Sequence, residues 1–372
     1  MSGEELKLPQ YEGLDIQHLQ RLFDNMSECY KLFWFQALIE LSQEGDGVLT
    51  YEQLIHRMIA NAWYMVSEYK LNLGPADTLE ALVRRANEIS GLKSGETPEK
   101  IIETIDSLKD PILKKQMQTL TLNVPYRLLA PFLPYRATNW GMGNAALAEY
   151  LNQEAKLIYT FEKIAGLNSV IRIKPEWLRY IRENYGILLG WTRYNMIEYL
   201  QRRNPNVPGL SSKLSPPQER DLAKVQGFWK KLANVMEVRD IYGGLVLTSK
   251  DLSIDHFVPW SYVPDDELWN LSPTTKSINS QKSNRLPEWD IYFERLSALE
   301  YQAYRAVWEH DEIRKAYDAC LRENVNSEEV KTKLFLRQNL TPQEYADRLE
   351  EILLPVYNAA RNQGFDEWTY TA

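Results

Sequence analysis

Residues 254–287 read IDHFVPWSYVPDDELWNLSPTTKSINSQKSNRLP. An aspartate and one of only four histidines stand side by side, followed by asparagines and a lysine before a proline. Asp255, His256, Asn270, Asn279 and Lys282 are residue types that phosphodiester hydrolysis needs. A hard cation must neutralise the scissile phosphate and the leaving oxygen. Oxygen ligands suit Mg2+ or Mn2+, and Mg2+ usually keeps several waters. Asp255 and Asn279 supply such oxygens and leave the remaining octahedral positions to water and phosphate. His256 suits proton abstraction at neutral pH, because an unperturbed imidazole titrates near about 6.5. On a strand it points away from the face that carries Asp255. A bulge or twist is therefore expected to bring both to one substrate.

Such residues need a frame. LSIDHF, 252–257, alternates well enough for a strand. Upstream, IYGG at 241–244 predicts a tight turn and LVL at 245–247 a second strand. The two strands are expected to pair as a hairpin-like ribbon. SPTTKSINSQKSN, 272–284, is expected to form one helix that carries Asn279 and Lys282. Strand, strand and helix, with acid and base on a strand and an asparagine on the helix, make a compact metal site.

This order of residues resembles the HNH (ββα-metal) nucleases. The spacing is similar to that of the HNH domain in RNA-guided CRISPR effector nucleases. It is more loosely similar to phage Holliday-junction resolvases of the endonuclease VII type. The resemblance implies that Asp255 and Asn279 bind metal and that His256 is the general base. It implies that Asn270 braces the loop between strand and helix and that Lys282 lies close to the phosphate. IYGG stands where zinc-stapled relatives carry a CxxC-type turn; both cysteines are missing, so hydrophobic packing must hold it. The resemblance runs from IYGG to Leu286-Pro287. The rest of the chain has a layout that resembles stand-alone bacterial HNH proteins, several of which serve anti-phage or restriction systems. Together these resemblances imply a Mg2+- or Mn2+-dependent endonuclease acting on DNA in preference to RNA, with a protein partner from a defence system. Two other readings are a non-catalytic nucleic-acid- or protein-binding subunit on a degenerate HNH fold, and a nuclease subunit silent until a partner engages it. Degenerate copies usually lose the base or a ligand, whereas Asp255, His256 and Asn279 are all present.

Composition bounds the rest. The chain has 372 residues, 44% of them hydrophobic, with 11 Trp and 22 Tyr, enough to bury several cores. No run of 18 apolar residues occurs, so no membrane span is expected. The first residues, MSGEELKLPQYEG, hold no apolar signal-peptide core. Cys29 and Cys320 build neither a disulfide framework nor a four-Cys zinc site, which suits the cytoplasm. Net charge is -8, which argues against a polyanionic partner until its distribution is considered. From Glu288 onward, 17 Asp and Glu face 10 Lys and Arg. Between 201 and 250 the sign reverses: Arg202, Arg203, Lys213, Arg220, Lys224, Lys230, Lys231, Arg239 and Lys250 face Glu219, Asp221, Glu237 and Asp240. A basic strip beside the 254–287 segment, with Arg202, Arg203, Lys230 and Lys231 as its phosphate contacts, is what nucleic-acid binding needs. The acidic C-terminal region could occlude it until displaced.

The periodicity predicts a mostly α protein with a small α+β insert. The first 20 residues read as a loose arm. Helix, turn, short strand at Val48-Leu49 and helix capped by Thr50 with Gln53 suggest a winged-helix-like module in a helical domain over 1–135. His56 on the second helix has no partner at ligand spacing. NVPYRLLAPFLPYRATNW, 123–140, reads as a structured connector or lid. A mixed connector domain, 136–236, holds strand candidates at 156–161 and 168–173, a helix opened by Pro175, and a helix capped by Ser215 with Gln218. The HNH segment takes 237–300. An acidic helical region, 301–372, ends in a helix capped by Thr341 with Glu344. His310, between Glu309 and Asp311, is expected at the surface.

Overall fold

Thr50 ends a three-residue strand and starts a helix of 17 residues. Its hydroxyl accepts from the Gln53 N–H while the Gln53 side chain accepts from the Thr50 N–H, so two amides that the helix leaves unpaired are satisfied reciprocally. The structure is a computed structural model. It describes residues 7–24, 26–133, 140–216, 222–263, 266–321, 332–334 and 337–371. About 58% of the described residues are helical. It divides into two units, one of Met1–Pro205 with Leu214–Pro216, the other of Asn206–Lys213 with Pro217–Ala372.

The first unit runs α1 (Ile16–Gln20), α2 (Tyr30–Leu41), β1 (Val48–Thr50), α3 (Tyr51–Ser67), α4 (Thr78–Ser90), α5 (Pro98–Ser107), α6 (Pro111–Leu120), α7 (Val124–Arg127), α8 (Asn144–Asn152), β2 (Tyr159–Lys163), β3 (Val170–Ile173), α9 (Pro175–Glu183) and α10 (Tyr185–Arg203). α2 is buried without a break from Leu32 to Ile39. A helix apolar on every side belongs at the centre of a core, and α2 and α3 pack there with Trp34 edge-on to Tyr51. The antiparallel sheet has the order β1-β3-β2, with Leu49 opposite Ile171. A lone three-residue strand cannot hold its own hydrogen bonds, so β1 recruits the later hairpin. The division expected at 135/136 therefore falls inside one unit, which continues to Pro205. The arm is not loose over its described part: Leu8, Ile16 and Leu19 are buried, and Pro9 accepts from the Tyr180 hydroxyl. His56 is buried and has a partner after all, Asp106, 3.2 Å away. Residues 134–139 of the expected lid lie outside the described residues.

The second unit holds α11 (Ala223–Val235), β4 (Leu252–His256), β5 (Leu271–Thr275), α12 (Lys276–Lys282), β6 (Leu286–Pro287), α13 (Trp289–Glu309), α14 (Asp311–Leu321), α15 (Pro342–Asn362) and β7 (Glu367–Trp368). α13 packs against α14 and α15, and α11 packs against α14 and β4. Neither expected boundary at 236/237 or 300/301 divides this unit. α13 crosses 300/301, and the buried Val225, Phe228, Trp229 and Leu232 tie α11 to the second unit rather than to a connector domain. Ser215 lies in the first unit, Gln218 lies outside the described residues, and α11 begins only at Ala223. The Thr341–Glu344 capping box is present, and His310 is exposed. Cys29 and Cys320 are buried, and neither is in a disulfide. No helix among the described residues is long and apolar enough to cross a membrane.

Candidate active site

The strand with the acid and the base pairs downstream, not upstream. β4 and β5 run antiparallel from Leu252↔Thr275 to His256↔Leu271, with Asp255 opposite Ser272. This corrects the expected ribbon with LVL. Residues 238–247 instead close on themselves: Asp240 N donates to Leu245 O, Leu247 N donates to Val238 O, and Arg239 bridges Val246. Gly244, at φ +69, supplies the left-handed turn. The helix is also shorter than expected. SPTT joins β5 because β-branched Thr274 and Thr275 suit a strand and a two-stranded sheet tolerates Pro273 on an edge strand, and Thr275 then caps α12 by accepting from Ile278 N at 3.2 Å.

Asp255 is buried, and each of its oxygens has a donor. Tyr242 Oη donates to Oδ2 at 2.5 Å, and Lys282 Nζ lies 3.2 Å from Oδ1. Burial and then the Asp255 charge push the Tyr242 phenol up, so it stays a neutral donor. Lys282 is fully buried and also donates to the His256 carbonyl at 2.6 Å. Burial pushes its ammonium down and Asp255 holds it up. The resemblance implies a lysine close to the phosphate, whereas this ammonium is enclosed as the counter-ion of Asp255. Tyr242 packs edge-on against Tyr292 and Trp368, at centroid separations of 5.3 and 5.2 Å. Aromatic packing from α13 and β7 thus holds the turn that zinc would staple.

His256 is the last residue of β4. The register runs to it without a shift, so the expected bulge is absent, and Asp255 and His256 keep opposite faces. His256 Nε2 lies 2.9 Å from Asp266 Oδ1. Beyond it, Asn270 grips one residue twice: Oδ1 accepts from Val258 N at 2.7 Å and Nδ2 donates to Val258 O at 2.9 Å. Asn279, on α12, donates through Nδ2 to Ile254 O at 2.8 Å and to Ser253 Oγ at 3.3 Å. Its amide nitrogen is thereby committed to β4, at the residue that precedes Asp255. One carboxylate and one amide oxygen are hard donors and fit a hard divalent cation whose remaining positions are water. Among the described residues, no three His, Cys, Asp or Glu side chains gather as a metal site.

The four residues expected as phosphate contacts fall in two different units. Arg202 and Arg203 close α10 in the first unit, where Arg203 donates to Ser27 O at 2.7 Å. Lys230 and Lys231 lie on α11 in the second unit, Lys231 exposed and Lys230 half-buried. Lys213 is no surface residue: fully buried, it donates to Pro208 O at 2.8 Å and to Tyr262 O. Arg239 is paired with Glu237 at 2.7 Å. Arg220, Glu219 and Asp221 lie outside the described residues. Two residues of the site escaped sequence reading. Asp266 follows His256 by ten positions inside PDDE, and Tyr242 sits inside IYGG. The surplus of acids in an otherwise neutral loop was the only signal for the first.

Residues 240–288 match the family model described as HNH endonuclease. The match makes that segment similar to HNH endonucleases, and it names neither a CRISPR effector nor a phage resolvase. No curated protein and no solved structure matches the chain.

Proposed function

We propose that the second unit is a metal-dependent endonuclease that hydrolyses phosphodiester bonds in DNA. One observation supports this reading: the Asn279 amide nitrogen is bonded to Ile254 O, one residue from Asp255, which ties the helix to the strand that carries the acid and the histidine. Asp255 and Asn279 would hold Mg2+ or Mn2+. HNH nucleases generally use a divalent metal ion, and when bound it supplies Lewis-acid neutralisation of the phosphate. The protein does the rest. His256 takes the proton of the attacking water, Tyr242 and Lys282 hold the Asp255 carboxylate in place, and Asn270 fixes the turn after the base. DNA is the substrate preferred over RNA from the motif resemblance. A role in bacterial anti-phage or restriction defence, with a partner protein, rests on the layout of the chain, and a place in the cytoplasm on its two cysteines.

The test is plasmid cleavage by the purified full chain. Mg2+ or Mn2+ should support nicking, Zn2+ should do so poorly, and EDTA should stop it. His256→Ala should lower the rate by about 10²–10⁴ while metal and DNA affinity stay close to wild type. Asn279→Ala should weaken metal binding instead, with high Mn2+ restoring part of the rate. Full activity in EDTA, or wild-type cleavage by His256→Ala, would hand the site to the binding-module reading.

A further inference from the structure

We propose that Asp266 is the positioning residue of His256, a role resting on the nuclease reading above. Its carboxylate Oδ1 lies 2.9 Å from His256 Nε2. The histidine side chain is 5% exposed and the aspartate 23%, so this pair sits at the edge of the core and is not a surface ion pair. A carboxylate accepts, so Nε2 is the N–H of the neutral ring and Nδ1 is its basic nitrogen. The contact therefore selects both the tautomer and the ring orientation.

The connection between β4 and β5 is built to hold it. Its ends are locked by the Asn270 clamp on Val258 and by Phe257 N, which donates to Asn270 O at 2.8 Å. Within it, Tyr262 N and Val263 N both donate to Pro259 O. The Tyr262 hydroxyl donates to Asn206 O at 2.6 Å, and Leu268 and Trp269 are buried. Asp266 thus approaches the imidazole from a loop pinned on both sides. In the hydrolysis, water gives its proton to Nδ1 as its oxygen bonds to phosphorus. The P–O bond to the leaving sugar oxygen breaks, and that oxygen takes a proton from solvent. Asp266 touches none of these atoms and acts through the ring.

The test has two arms. In plasmid cleavage, at a temperature where melting curves show both proteins folded, Asp266→Ala should lower the rate at least tenfold with unchanged DNA affinity. Asp266→Asn, which can still accept through its amide oxygen, should recover part of that loss. In a His256→Ala background, Asp266→Ala should change nothing further, because both act as one unit. In the second arm, histidine nitrogen NMR should show Nε2–H for His256 in the wild type and a tautomer mixture in Asp266→Ala. Wild-type cleavage by Asp266→Ala beside an inactive His256→Ala overturns the proposal. So does an equal loss in the His256→Ala background, or an Nδ1–H tautomer in the wild type. A wild type that cleaves no better than His256→Ala fails the nuclease reading instead, while the tautomer still decides the positioning role.

Discussion

Asn270 closes a two-bond ring on Val258, accepting from its N–H at 2.7 Å and donating to its carbonyl at 2.9 Å. Val258 and Asn270 are both fully buried, so water cannot replace either bond. An asparagine amide is the one short side chain that offers a donor and an acceptor side by side. Asn270→Ala should therefore destabilise the second unit by about 2–4 kcal/mol, since each backbone group left unpaired costs about 1–3 kcal/mol. Cleavage should fall with it. Urea unfolding monitored alongside the cleavage rate checks this, and an unchanged midpoint would remove the bracing role.

Tyr242→Phe isolates a different bond. It keeps the ring packed on Tyr292 and Trp368 and deletes only the hydroxyl that serves Asp255. Hydrogen bonds to a charged group contribute about 1.5–3 kcal/mol, so stability should drop by that order. Saturating Mn2+ should narrow the gap, because a bound cation can serve the same carboxylate. Melting curves with and without Mn2+ measure both. A gap that stays the same in Mn2+ would mean that Asp255 is not a ligand.

Lys230 and Lys231 are the part of the basic strip that belongs to the same unit as the motif. Replacing both with alanine should weaken DNA binding alike for every sequence. It should also flatten the slope of log affinity against log salt, by about 0.9 for each phosphate that the variant no longer neutralises. Fluorescence titrations at several salt concentrations decide it, and an unchanged slope would make these residues a solvated helix face.

Glu300, on α13, is buried, and burial pushes its carboxyl well above the ordinary range. The folded state therefore holds this proton more tightly than the unfolded chain, where a glutamate titrates near about 4.3. Its contribution to stability is full below that pH and is lost as pH rises toward the folded value, at about 1.4 kcal/mol per pH unit within the window. Glu300→Gln keeps the shape without the charge. The variant should lose less stability than wild type as pH rises from acid to neutral. Melting temperatures of both proteins across that range test it, and parallel curves would refute it.

What the sequence alone determined is local. The Thr50 and Thr341 capping boxes and the strands expected at 156–161 and 168–173, found at 159–163 and 170–173, depend on neighbours within a few residues, where spacing and side-chain type suffice, and the Asp255-His256-Asn270-Asn279 order reads off one continuous stretch. What only the tertiary structure decided is which distant atoms satisfy a buried polar group. LVL and LSPTT are both fair partners for β4, and burial on both faces favoured the second. Lys213 and Lys282 count as surface charge in a composition, yet both lie in the core because carbonyls, and for Lys282 a carboxylate, were there to receive them. Tyr242 and Asp266 lie inside the matched stretch but are not among the residues that type and spacing single out. They belong to the site only because the chain returns to within hydrogen-bond reach of Asp255 and His256. A buried carboxylate or imidazole must be paired, but which residue pairs with it is a property of three-dimensional distance, and spacing along the chain does not encode it.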